Sequence, residues 1–169
     1  TIRKGVFQQP LRRSSVHLLF AVFCRKWSET RGRIMNVLFV DDQSSVLDGI
    51  AACIHFEKLG IERAFYASSA AGALERLSVH PIDVVLTDIE MPGEDGIWLI
   101  RTIRERYPES LTVMLTSHAD FEYAQESIRL GCFDYLVQPA PPEEIERVLQ
   151  RAMQYLYERN KRNQLYEVG

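Results

Sequence analysis

The chain has 169 residues, 46% hydrophobic and 25% charged, with a net charge of −3; this fits one globular domain with extensions rather than a disordered or membrane-spanning chain. The charge is uneven: residues 1–34 hold eight Lys and Arg against one acid (+7), whereas residues 35–169 hold twelve against twenty-two (−10). An acidic body argues against direct binding to nucleic acid or anionic lipid. Three scattered cysteines without a CxxC spacing (Cys24, Cys53, Cys132) indicate buried or idle thiols in a reducing, cytoplasmic setting.

Residues 1–34 include the apolar run VHLLFAVFC (16–24). It is shorter than the about 20 residues that span a bilayer. Arg25 and Lys26 follow it, where a signal peptide would have small residues for cleavage. The stretch MNVLFVDD then opens at Met35 like a natural start, so residues 1–34 read as a basic leader, added or translated from upstream. A true basic arm is the alternative. The body, residues 35–156, alternates between two periods. NVLFV (36–40) is an apolar run suited to a strand buried on both faces. A helix is expected over 43–58, with Val46, Ile50 and Ile54 on one stripe and Ser44 or Ser45 near its start. A strand follows at 62–67, then an Ala-rich helix at 69–79, closed by His80-Pro81. The remaining expectations are strands at 82–87, 111–116 and 132–137 and helices at 96–106, 119–130 and 142–166. Gly131 is the expected cap of the fourth helix, and Pro142 starts the last. Five strand–helix units imply an α/β fold, a doubly wound parallel sheet with helices on both faces and an extended C-terminal helix.

In such a sheet, function collects at the carboxyl ends of the strands. The first strand ends in Asp41-Asp42, the third in Asp88, the fourth in Thr116-Ser117 and the fifth in Gln138-Pro139. If these strands are neighbours, three carboxylates share one pocket and need a cation. Oxygen ligands alone suit Mg²⁺. A divalent ion beside an aspartate can hold a phosphoryl group during transfer, and Thr116 could donate a hydrogen bond to it. The reading at this level is a Mg²⁺-assisted phosphoacceptor at Asp88; acidic loop ends meeting by coincidence is the alternative.

The segments VLFVDDQ, VVLTDIEMPGEDG, LTS and DYLVQP, in this order and spacing, resemble the receiver domain of two-component response regulators over about residues 35–160. The resemblance implies the flavodoxin-like strand order 2-1-3-4-5. It implies that Asp88 accepts a phosphoryl group from a sensor histidine kinase. Asp41, Asp42, Asp88 and the backbone carbonyl of Glu90 would hold Mg²⁺. Thr116 would be the switch hydroxyl and Tyr135 the aromatic that changes burial with it. By the resemblance, Glu90 and His118 would occupy flanking positions that tune acyl-phosphate hydrolysis, with ordinary exposed loop residues as the alternative, and the Gln138-Pro139 bond is expected to be cis. The segment HADFEYAQESIRLGCFDYL resembles regulators with an AraC-type DNA-binding output domain, through which alone DNA would be contacted. A homodimer through the fourth helix, fifth strand and last helix is implied, and no membrane contact.

One residue departs from the pattern: Gln138 stands where the family usually has a lysine that pairs with the acceptor. An amide donates a hydrogen bond but carries no charge, at a deficit on the order of 1 kcal/mol. Weaker coupling of phosphorylation to switching follows, and a receiver that interacts or dimerises without phosphate is the alternative function. Apart from its own phosphorylation and dephosphorylation, no enzymatic activity is expected. Ile145, Val148, Leu149, Ala152 and Leu156 form the packing stripe of the last helix, and residues 157–169, mostly polar, read as a helical linker or tail.

Overall fold

A computed structural model describes residues 35–119 and 121–167. The expectations for residues 1–34 and for the last two residues of the tail lie outside the described residues. Among the described residues, five strands, β1 (Met35–Val40), β2 (Ile61–Ala67), β3 (Val84–Asp88), β4 (Leu111–Thr116) and β5 (Asp134–Val137), alternate with five α-helices: α1 (Ser44–Cys53), α2 (Ala70–Val79), α3 (Gly96–Arg106), α4 (Phe121–Leu130) and α5 (Pro142–Glu167). The sheet is wholly parallel, in the order β2-β1-β3-β4-β5, as expected. Every residue of the central strands β1 and β3 is buried, which is why both read as unbroken apolar runs rather than as alternating ones.

Side-chain alternation along β1 divides the core. Leu38 and Val40 join a cluster with Ala73 and Leu77 of α2 and Leu99 and Ile103 of α3. Phe39 faces the other way and meets the rings of Phe56 and Tyr66, with centroids 5.9 and 5.8 Å apart. α5 buries Ile145, Val148, Leu149, Ala152, Met153 and Leu156, the expected stripe with Met153 added. The helix continues unbroken past residue 156, and Arg159 still holds the body through the Glu109 carbonyl and carboxylate, each at 2.9 Å. Among the described residues no helix is long and apolar enough to cross a membrane.

Several boundaries differ from the expectations, most of them by one or two residues. The first helix stops at Cys53 rather than at 58: Ile54 turns extended, and a 3-10 turn covers Phe56–Leu59. The break lets Ile54 and Leu59 both reach the interior and puts Phe56 on Phe39, and the freed His55 N–H is satisfied by the Glu146 carboxylate at 3.1 Å. At its other end α1 opens at Ser44, as expected, with Gln43 in the cap position. The third strand runs to Asp88, and the fifth begins at Asp134, because the Cys132 N–H instead closes α4 on the Ser127 carbonyl at 3.0 Å. Gly131, at φ 68°, bonds back to Ile128 at 3.1 Å beside it, the paired closure that a left-handed residue permits.

α2 has a working N-cap in Ser69, whose Oγ accepts the Gly72 N–H at 3.1 Å. A Ser69→Ala variant is expected to lose about 1 kcal/mol of stability, read as a lower urea midpoint with an unchanged m-value.

Candidate functional site

The strand register brings the acidic loop ends together. Val40 lies beside both Ala67 and Thr87, and Asp88 lies beside Leu115. Asp41 therefore leaves β1 next to the end of β3, and Thr116 ends the neighbouring β4. Carboxylate oxygens of Asp41, Asp42 and Asp88 all lie within 4.8 Å of one another. Asp41 and Asp88 are buried, at 1% and 2% exposure, and Asp42 is exposed. Asp41 is held on both oxygens: Oδ1 accepts the Gln43 N–H at 2.8 Å, and Oδ2 lies 3.5 Å from Nε2 of Gln138. Oδ1 of Asp88 is buried and accepts nothing.

A buried, unpartnered carboxylate oxygen beside two more carboxylates is electrostatically costly. Burial, and then the charge of Asp41, push the Asp88 carboxyl up to about 6; the backbone N–H groups of Glu90 and Ile89 oppose the rise, and Asp42 adds a little to it. The Asp41 carboxyl is raised as well, first by burial, with the bonds from Gln43 and Gln138 pulling it down and Asp42 pushing it up. This donor set fits a small hard dication. It is all oxygen, it is anionic, and it has one buried acceptor oxygen unused by the protein.

Thr116 is fully buried. Its Oγ1 accepts the His118 N–H at 3.1 Å and lies 3.3 Å from the His118 carbonyl. The half-buried Tyr135 donates its hydroxyl to that same carbonyl at 3.0 Å. The His118 ring reaches across to Glu90, Nδ1 to Oε1 at 3.2 Å, so the loops after β3 and β4 are bridged above the pocket. The Gln138-Pro139 bond is cis. Gln138 meets Asp41 rather than the acceptor.

Two residues of the site are not evident from the sequence as such. Thr87 is fully buried and its hydroxyl bonds the Asp88 carbonyl at 3.0 Å. Gly96, the first residue of α3, is buried under the acceptor, where an added Cβ would sit 2.0 Å from the Asp88 carbonyl oxygen and 2.8 Å from Cα of Ile89. The available signal was the Glu-Asp-Gly sequence, a helix N-cap followed by a residue without a side chain; Asp95 does cap α3, accepting the Trp98 N–H at 2.7 Å. Beside the pocket, Val46, Gly49, Ile50 and Cys53 of α1 face Pro139, Ala140 and Ile145 across a largely apolar groove of about 570 Å³. Cys53 is exposed and Cys132 half-buried, both as free thiols, so Cys53 is not a buried thiol; Cys24 lies outside the described residues.

The response regulator receiver domain family matches residues 37–150. The chain is 33% identical over 110 residues to the uncharacterized transcriptional regulatory protein YesN of Bacillus subtilis, covering 65% of this chain and 30% of YesN. It is 34% identical over 128 residues to the DNA-binding transcriptional regulator NtrC of Proteus hauseri, covering 76% of this chain and 26% of NtrC. The receiver (REC) domain of AraT, a response regulator from Geobacillus stearothermophilus, superposes with a TM-score of 0.70 at 31% identity, over 76% of this chain and 99% of that one. A two component transcriptional regulator AraC from Clostridium phytofermentans gives 0.68 at 30% identity, over 73% and 96%. The chain thus spans about a quarter to a third of the length of the curated relatives it matches.

Proposed function

The chain belongs to the response regulator receiver domain family, and we propose that Asp88 is its phosphoacceptor, taking a phosphoryl group from a sensor histidine kinase in the cytoplasm. The observation that carries this is the buried, unpartnered oxygen of Asp88 within 4.8 Å of carboxylate oxygens of Asp41 and Asp42. Asp41, Asp42, Asp88 and the carbonyl of Glu90 would hold Mg²⁺, which supplies charge neutralisation for the incoming phosphoryl oxygens. The Asp88 oxygen forms the new bond to phosphorus as the donor's nitrogen–phosphorus bond breaks, and the imidazole nitrogen leaves with the electron pair and is protonated. Thr116 would release the His118 backbone to reach the phosphoryl group, and Tyr135, bonded to the same carbonyl, would respond.

The groove between α1 and the segment after β5 opens next to the acceptor and is lined by small and apolar residues, a surface suited to a helix of the kinase. Around the edge strand β5, Phe121 and Ile128 of α4 are 74% and 79% exposed, and Val137 of β5 and Tyr155 of α5 are exposed too. We assign this α4–β5–α5 face to homodimerisation. The continuation of α5 beyond 156 would connect to a DNA-binding output domain of AraC type, in keeping with the transcriptional regulators it resembles.

Acetyl phosphate with Mg²⁺ should add one phosphoryl group per chain by intact mass, with none added to Asp88→Ala. A wild type that takes up no phosphate, or equal labelling of Asp88→Ala, would sink the proposal. If wild type labels but its oligomeric state by light scattering stays unchanged, the phosphate-independent interaction role suggested by Gln138 takes the place of phosphate-driven dimerisation.

A further inference from the structure

We propose that Gln138 leaves the three carboxylates, among the described residues, without a cationic side-chain partner, so that a divalent cation is their main counter-charge and is held more tightly than it would be beside a lysine. This rests on the assignment of the pocket as a cation site.

Gln138 follows β5, and its amide turns to Oδ2 of Asp41, while the Gln43 N–H holds Oδ1. Asp41 is thereby fixed from both sides by neutral donors. Among the described residues, none of Asp41, Asp42 and Asp88 forms an ion pair with Lys, Arg or His. His118, which stands over the pocket, is taken up by Glu90 at 3.2 Å. What remains is a pocket of three acids in which the acceptor keeps a buried oxygen free of any donor.

A lysine at position 138 would change this in two ways. It would neutralise part of the carboxylate repulsion in the metal-free protein, and it would repel an incoming dication. For a unit charge about 5 Å from a dication, the repulsion alone weakens binding roughly tenfold even at the dielectric constant of water. Glutamine does neither. The same residue that gives up a charged contact to the phosphoryl group therefore deepens the well for the metal that phosphoryl transfer needs.

The test is isothermal titration of the full chain with Mg²⁺ and with Mn²⁺, in wild type, Gln138→Lys and Gln138→Ala, with thermal melts in EDTA alongside. The lysine variant is expected to bind Mg²⁺ about tenfold more weakly and to melt higher than wild type in EDTA. The alanine variant removes the amide without adding charge and is expected to stay within about threefold of wild type. Should the lysine variant fail to fold, Gln138→Arg repeats the comparison. Wild type that binds neither ion would overturn the cation-site assignment and this inference with it. Wild type that binds, with Gln138→Lys within twofold of it, overturns only the role of Gln138. An equal loss in the alanine and lysine variants also overturns it, because charge would then not be the cause.

Discussion

A Gly96→Ala variant is expected to lose about 2 kcal/mol or more of stability and to accept less phosphate on Asp88 than wild type does. Gly96 is the first residue of α3, and a methyl group there would sit 2.0 Å from the Asp88 carbonyl oxygen and 2.8 Å from the Asp88 carbonyl carbon. Those atoms are backbone and cannot rotate away. The peptide is also anchored: the Ile89 N–H bonds the Leu115 carbonyl at 3.0 Å, and the Gly96 N–H bonds the Ile89 carbonyl at 3.0 Å. Relief must come from moving α3 off β3 or from shifting the acceptor's own peptide. Overpacking of this kind typically costs about 1–3 kcal/mol, occasionally more. The change also gains up to about 1 kcal/mol of helix propensity, and the clash outweighs it. Gly49 supplies the control. It lies exposed within α1, and an added Cβ there meets nothing within 4 Å, so Gly49→Ala should gain a few tenths to about 1 kcal/mol. Urea melts of the two variants should move in opposite directions. A Gly96→Ala midpoint at or above wild type would show that the close approach of α3 to the acceptor is not a constraint.

The contrast between these two glycines marks what the sequence could convey. Both stand near the start or middle of an apolar helical pattern, and nothing in the pattern says that one faces solvent and the other a carbonyl. The strands were legible because five apolar runs of strand length alternate with helical periodicity, and parallel pairing then forces their carboxyl ends to one rim. That is enough to bring Asp41, Asp42 and Asp88 together as candidates; the strand order itself came from the resemblance. The end of α1 was not legible, since Ile50 and Ile54 continue a helical stripe that only the packing of Phe56 on Phe39 interrupts. Nor was the partner of Gln138. Position alone points it at the acceptor, yet its amide lies against Asp41. The Glu90–His118 bridge joins two loops far apart in the chain, and both residues read singly as exposed loop positions.

Asp88→Asn is expected to stabilise the metal-free protein at neutral pH by about 3 kcal/mol, and not at all near pH 4. The sign follows from the direction of the shift. The Asp88 carboxyl is raised from 3.8 to about 6, chiefly by burial and then by Asp41. The folded state therefore binds this proton more tightly than the unfolded chain does. Stability from the protonated group is fully present below 3.8 and declines as pH climbs through the interval, and the loss is complete above about 6. Each tenfold change in proton affinity is worth about 1.4 kcal/mol, which sets the size. Asn cannot ionise, and its amide N–H faces the neighbouring carboxylates of Asp41 and Asp42 in place of a third negative charge, so the variant escapes the loss. Asp41, shifted in the same direction, adds to the fall in both proteins and less so where its charged neighbour is gone. Urea melts of wild type and Asp88→Asn in EDTA, at steps from about pH 4 to about pH 7.5, should diverge on the neutral side only. Saturating Mg²⁺ should then close much of the gap by binding the folded wild type. A difference that stays flat across the range, or widens toward acid, would mean that Asp88 is not the strained carboxylate at the centre of this site.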